Sequence, residues 1–410
     1  MLQKQVMFDQ TRLSRLRTWM DNYVEQRKYA GSSFLLRHKD DEVFFHSSGM
    51  RSVENGLPFQ RDTLARVYSM TKPVTAVALM MLAERGLFHL DAPLSEFLPE
   101  FKRMQALIPD AEKLEQTEDT RPPTLHQLLT HTSGFSYPFN PGILPEAMDE
   151  KNLIFKPDQG LLKDRIGELA MLPLAFRPGT RWEYSVSTDV LGRVVEVISG
   201  QTLDQFFHHE ILAPLGMTET GFSIPIGAGD RFASLYTPLA GDAMALNSAD
   251  HGSDTLRLID THEDSPFEKA TTFSGGGGLI STIDDYAKFV DMLRNRGSGN
   301  GHKLLGPKTV AFMMRNHLPG DIASMGPKSF AEQPMEGMGF GLAGSVVLDP
   351  GRVQVPGSVG DFSWGGMAST YFWLDWENDL TAVFFTQLSP SSSYPSRAEL
   401  KALVHAAMIE

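Results

Sequence analysis

The chain is predicted to fold as an α+β protein: a sheet assembled from its two ends, flanked by helices, with a mainly helical stretch between. Three observations predict it. Strand-like runs occur early, at 33–37 and 42–46, parted by the polar turn Lys39-Asp40-Asp41, which is a hairpin signal. Strand-like runs return only in the last third, at 341–347, 368–374 and 380–386. From about 90 to 270 the pattern is helical and loop-rich, with Pro-containing connections. The expected division is one domain from 1–90 and 270–410 and a mainly helical domain over 91–269.

The elements follow in order. Leu13, Leu16, Trp19, Met20, Tyr23 and Val24 form one apolar face, which predicts an amphipathic helix over 9–29. The segment after Lys72 is apolar nearly all round (Val74, Ala76, Val77, Ala78, Leu79, Met80, Met81, Leu82, Ala83), so it reads as a buried helix, closed by Gly86. Thr124-Leu-His-Gln127 and Thr202-Leu-Asp-Gln205 are capping boxes. A helix over 187–199 ends at Gly200, and Thr282 opens another that carries Tyr286, Phe289, Val290 and Leu293. A last helix is expected over 397–409. No internal repeat is evident. Gly275-Gly-Gly-Gly278 is a glycine loop, and with no GKS/T after it, not a phosphate cradle.

Composition narrows the class. The 410 residues are 41% hydrophobic and 21% charged, as in an ordinary globular enzyme. The net charge of −13, without a basic stripe, speaks against nucleic acid and anionic membrane as partners. The acidic stretches 110–119 and 260–268 read as solvated loops. With no cysteine, disulfides, thiolate chemistry and Cys-ligated metals are excluded. The start, Met1 to Gln10, lacks the apolar core of a signal peptide, and the longest apolar run is too short to span a bilayer; a cytoplasmic protein is expected.

Ser69 and Lys72 stand three residues apart at the start of the buried helix, and so on one face. The bland reading is a polar first turn on a core helix. The chemical reading is a nucleophile with a base: a desolvated lysine loses its proton, and the helix N-terminus favours developing negative charge. Tyr184, in a loop directly before a helix, has the same two readings, a packed aromatic or a hydroxyl projecting into a cleft. Phe135, Tyr137 and Phe139 are a core cluster or a cleft lining. Other catalytic patterns fail. Pro356-Gly-Ser-Val-Gly360 lacks the first glycine of a hydrolase elbow, leaving Ser358 a turn residue. No His-Glu-x-x-His occurs, His208 and His209 point to different helix faces, and His131 reads as structural; no metal and no cofactor are expected.

Taken together, these segments resemble a known family. Ser69-Met-Thr-Lys72 resembles the first motif of class C serine β-lactamases, penicillin-binding proteins and their esterase relatives. Leu125-His-Gln-Leu-Leu-Thr-His-Thr-Ser-Gly134, Pro178-Gly-Thr-Arg-Trp-Glu-Tyr-Ser185, Pro214-Leu-Gly-Met-Thr-Glu-Thr-Gly-Phe222 and Gly276-Gly-Gly-Leu-Ile-Ser-Thr282 resemble further family segments, in family order. Trp364-Gly-Gly366 takes the place of Lys-Thr-Gly and points to the family VIII carboxylesterases. The resemblance implies a β-lactamase/transpeptidase-like fold, an antiparallel sheet flanked by helices with an inserted helical domain. It implies Ser69, Lys72 and Tyr184 as catalytic residues, and the N–H groups of Ser69 and Met367, the latter after an edge strand, as the oxyanion hole. Trp364, Gly365, Gly366, Phe135, Tyr137 and Val186 are the expected substrate contacts.

Two departures bear on substrate. Tyr184-Ser185-Val186 lacks the asparagine of Tyr-x-Asn, and Trp364 replaces a lysine that resembles an anchor for the substrate carboxylate. Both suit a neutral ester of short or medium acyl chain. A β-lactamase, an amide hydrolase or an acyltransferase on the same scaffold, and a non-catalytic binder keeping the fold, stay open. The partner expected is a small-molecule ester; oligomeric state is undecided.

Overall fold

The computed structural model describes residues 7–243 and 256–409. Met1 to Val6, part of the expectation about the N-terminus, lie outside the described residues. Helix α1 (Gln10–Glu25) starts at Asp9, whose carboxylate accepts from the Thr11 and Arg12 amides at 2.8 and 3.1 Å. It stops short of residue 29, where the chain turns through Arg27 at φ 55°. Strands β1 (Gly31–His38) and β2 (Asp41–Ser52) make the expected hairpin, and β3 (Leu57–Pro58) pairs with β2. Helices α2 (Thr71–Glu84), α3 (Ser187–Ser199) and α4 (Ile283–Arg294) follow. The last third holds β4 (Met338–Phe340), β5 (Ser345–Val347), β6 (Phe362–Gly365), β7 (Tyr371–Asp375), β8 (Leu380–Thr386) and α5 (Ser396–Ala407).

The eight strands form one sheet in the order β4-β5-β6-β7-β8-β1-β2-β3, each neighbouring pair antiparallel. The two chain ends meet where β8 pairs with β1, from Leu380 against His38 to Thr386 against Ser32. Three expectations need correction. The run at 341–347 is the turn and second arm of a hairpin: Gly341 donates its N–H to Gly344 O at 2.7 Å, and Ala343 sits at φ 63°. Residues 368–370 belong to a tight turn with Ser369 at φ 62°, and the strand begins at Tyr371. The strand carrying Trp364 is not an edge strand, since β6 lies between β5 and β7.

Period-two alternation builds the layers. Phe34, Leu36, Tyr371, Trp373, Ala382 and Phe384 face α1 and α5, packing on Leu13, Leu16, Met20, Leu400 and Val404. Their neighbours Leu35, Phe372, Leu374, Val383 and Phe385 face the other way, into a core shared with Val74, Tyr286, Phe289, Leu191 and Val195. Every residue of α2 from Thr71 to Leu82 is buried. An all-round apolar helix needs partners on every side; α2 packs on α3 and on the short helix Leu203–Phe207, within one core that also takes in the inner face of the sheet. The residues that carry chemistry at its N-terminus are thereby fixed where sheet and helical layer meet.

Among the described residues no helix is long and apolar enough to cross a membrane. The acidic stretches are not simply solvated. Residues Thr117–Thr120 form a strand paired with Met104–Leu107, and Asp260 ion-pairs at 2.6 Å with Arg66, whose side chain is fully buried.

Candidate active site

The chain enters α2 through a short 3-10 turn, Tyr68–Met70. Tyr68 holds φ 40°, a left-handed conformation that costs an aromatic residue about 1–3 kcal/mol. The surrounding fold imposes it: Val67 N donates to Leu279 O at 3.1 Å, and Tyr286 Oη holds Met70 O at 2.8 Å. The strain turns Ser69 out to the wall of a cavity of about 490 Å³.

Two side chains converge on Ser69. Tyr184 Oη donates to Ser69 Oγ at 2.5 Å, and Lys72 Nζ lies 3.3 Å from the same oxygen. Lys72 Nζ also reaches Gly276 O at 2.7 Å and Tyr137 Oη at 2.9 Å. A neutral amine has two N–H donors and one lone pair. The carbonyl and the Tyr137 oxygen take the donors, which leaves the lone pair for the Ser69 hydroxyl. Lys72 is fully buried, and burial brings its ammonium down to about 7, against the pull of Asp189. Burial pushes Tyr184 upward, so its hydroxyl keeps its proton at neutral pH.

Asp189, on α3 five residues after Tyr184, is the group that sequence reasoning missed. It is buried, accepts from Ser274 Oγ and from Gly276 N at 3.1 Å, and so fixes the glycine loop whose carbonyl holds Lys72. The signal was the loop: a Cβ on Gly276 would stand 2.2 Å from Asp189 Oδ2, so only glycine fits. His131 is buried and structural, its Nδ1 3.0 Å from Ser185 Oγ and its ring 5.0 Å from that of Tyr184.

On the opposite wall β6 ends at Trp364-Gly365, Gly366 follows, and the chain turns at Met367. A Cβ on Gly366 would lie 2.3 Å from Val67 O, so this turn presses on the segment leading to Ser69. Ser69 and Met367 both line this cavity, one on each wall. Trp364 packs against Tyr184 (centroids 5.5 Å apart) and stacks on Phe330 at 6.1 Å. Its indole N–H lies near the Tyr184 hydroxyl, whose ionised form it favours, without closing a hydrogen bond.

Of the expected substrate contacts, Tyr137, Trp364, Gly365 and Gly366 line the cavity together with Phe139, Met367 and Tyr184. Phe135 and Val186 do not. Phe135 is buried edge-on against Phe101, and Val186 packs into the core at the start of α3. One further group of ligand-type side chains is brought together, Asp361, Asp375 and His405. Lys401, 3.1 Å from Asp361, supplies a counter-charge there, and none of the three lines the cavity.

The beta-lactamase family model matches residues 16–406. The chain belongs to the beta-lactamase family. Within the beta-lactamase family it is similar to a Mycobacterium tuberculosis protein, 36% identical over 376 residues, 90% of this chain and 88% of the relative. It is also similar to esterase EstB of Burkholderia gladioli, 30% identical over 388 residues, 91% of this chain and 90% of the relative. Among solved structures, the LovD6 mutant of simvastatin synthase from Aspergillus terreus matches with a TM-score of 0.77 and 25% identity, over 96% of this chain and 97% of that one. The β-lactamase/transpeptidase-like fold and the likeness to family VIII esterases therefore stand.

Proposed function

We propose that the chain is a serine carboxylesterase that hydrolyses neutral esters of short or medium acyl chain through an acyl-enzyme on Ser69. The observation that carries the reading is the junction of Tyr184 Oη, Ser69 Oγ and a buried Lys72 Nζ on the wall of a largely apolar cavity. In this reading Lys72 takes the Ser69 proton as Oγ attacks the ester carbonyl. The Ser69 and Met367 N–H groups receive the developing oxyanion, which they meet already oriented. Tyr184, protonated and 2.5 Å from Oγ, passes a proton to the leaving alcohol and takes the Ser69 proton back from the Lys72 ammonium, which restores both groups. Water then attacks the acyl-enzyme through the same relay. The name of the EstB relative supports ester chemistry.

Acyl transfer to an alcohol is the second reading, favoured by the synthase among the structural neighbours. It uses the same acyl-enzyme and differs only in the acceptor. A non-catalytic binder fits less well, because Ser69, Lys72 and Tyr184 are all present, with the Ser69 hydroxyl within hydrogen-bond reach of the other two.

Two expected results follow from the charge states. Only the unprotonated amine can accept the Ser69 proton, and the folded protein lowers the Lys72 pKa to about 7. Hydrolysis of p-nitrophenyl butyrate should therefore be weak below that pH and climb as Lys72 deprotonates through it. A kcat/KM profile flat between about pH 5 and 9 would remove Lys72 from the role of base.

Substrate choice is the sharper test. Trp364 offers no cation to a β-lactam carboxylate and Val186 no amide hydrogen bond. One charge-assisted contact is worth about 1.5–3 kcal/mol, which is roughly 10–150-fold in kcat/KM. On one preparation p-nitrophenyl butyrate should exceed benzylpenicillin by at least that margin. A higher value for benzylpenicillin would replace the esterase reading with a lactamase one.

A further inference from the structure

The cavity wall beside Trp364 does carry a cation, although not from the motif. Arg397, the second residue of α5, lines the cavity and lies over the Tyr371 ring at 5.4 Å. A Cβ on Gly365 would come 2.6 Å from its guanidinium, so the charge stands against the backbone next to Trp364. The other lining cation among the described residues, Lys156, is exposed to solvent. Left alone, buried Arg397 would draw a carboxylate toward the reaction centre.

It is not left alone. Ser329–Phe330 and Gln333–Pro334 form a small hairpin whose Phe330, Ala331 and Gln333 line the same cavity. At its tip Glu332 Oε1 lies 3.5 Å from Arg397 Nε, with both side chains almost wholly buried. Neither Glu332 oxygen has a hydrogen-bond partner and Arg397 is its close compensation, yet burial still pushes the Glu332 carboxyl up to about 8, so the pair is fully charged only above that pH. The backbone that places it is unfavourable. Ala331 and Glu332 hold φ 45° and 60°, a pair of left-handed residues that a two-residue hairpin normally fills with Asn-Gly. Both are strained conformations for residues that carry a Cβ. A strained turn that drives a carboxylate into an apolar wall stabilises nothing by itself. Its effect is on the charge of the cavity.

We propose that Glu332 is a specificity-determining residue: paired with Arg397, it cancels the buried cation beside Trp364 and makes the site reject substrates that carry a carboxylate there. A substrate acid approaching Arg397 meets a second carboxylate already on it, and repulsion together with loss of water disfavours binding. The inference rests on the ester-hydrolase reading and names the substrate class within it, uncharged at that wall.

The test compares isosteric ester pairs at about pH 9, above the value of about 8 to which burial raises Glu332, so that its carboxylate is charged. One places the charge on the acyl side, the mono-p-nitrophenyl ester of glutaric acid against that of glutaramic acid. The other places it on the alcohol side, 4-carboxyphenyl butyrate against 4-carbamoylphenyl butyrate. The readout is each variant's own acid-to-amide ratio of kcat/KM, so a general loss of activity cancels. Glu332→Gln keeps the shape and frees the Arg397 charge. The ratio should rise by roughly 10-fold or more for at least one pair, the size of a charge-assisted contact, and should return to the wild-type value in Glu332→Gln/Arg397→Gln. In Arg397→Gln alone the uncompensated Glu332 takes up a proton, so the ratio should stay near wild type; Glu332→Ala should raise the ratio as Glu332→Gln does, which keeps the inference testable should Glu332→Gln not fold. Ratios unchanged in the folded variants overturn it. The ester reading fails differently: wild-type enzyme would then turn over none of the four esters, or would do so equally after Ser69→Ala.

Discussion

Ser69→Ala is expected to abolish ester hydrolysis, with kcat falling by about 10⁴-fold or more, as for nucleophile loss in serine hydrolases generally. The fold should survive, because Ser69 sits at the cavity wall and the change removes one oxygen from a position that is only half-buried. The lost oxygen accepts from Tyr184 and lies beside Lys72, and both retain other contacts. The measurement is kcat on p-nitrophenyl butyrate, joined to mass spectrometry after a fluorophosphonate. Wild-type protein should gain one adduct on Ser69 and the variant none. More than a few per cent of residual kcat, with an adduct elsewhere, would identify a different nucleophile.

Tyr184→Phe should be the next most damaging change that leaves packing intact. Its ring is held by His131, Tyr137, Phe330 and Trp364, and a phenyl ring keeps all of these contacts. What disappears is the donor 2.5 Å from Ser69 Oγ. Loss of a positioned proton donor costs roughly 10²–10⁴-fold in kcat. The loss should be smaller for esters of acidic phenols than for alkyl esters, since a phenolate leaves without help. Equal loss for both would shift Tyr184 from supplying the leaving-group proton to organising Ser69. No loss would leave it a packing residue.

The parts of the site that were legible in the sequence are those fixed by local spacing. Ser69 and Lys72 share a helix face whatever surrounds them, and the apolar run behind them could only be a buried helix. Thr124 and Thr202 announce their helices through side chains that bond amides three residues away. Tyr184 and Trp364-Gly-Gly366 were readable only through resemblance, because nothing in their own neighbourhoods demands a cleft. The acidic stretch at 260–268 misled for the same reason: Asp260 looks solvated until the fold lays Arg66 against it.

Alternation also has limits. It placed the β8 run at 380–386 correctly, where every second residue meets the same layer. It failed at 341–344 and 368–370, where tight turns hold apolar residues that look like strand. Phe135 and Val186 were misplaced in a related way. Phe135 packs on Phe101 and Val186 enters the core where α3 begins, and only the fold supplies those partners.

By itself, then, the sequence determined the helix that bears Ser69 and Lys72, the sheet drawn from both chain ends, and a site without thiol chemistry. These depend on periodicity, capping and residue type, which act over a few positions. Only the tertiary structure decided the charges. Lys72 is lowered by total burial, Asp189 is brought to the glycine loop, and Arg397 meets Glu332 from a point 65 residues away in the chain. Desolvation and Coulomb energy depend on distance and burial in space, and chain spacing records neither.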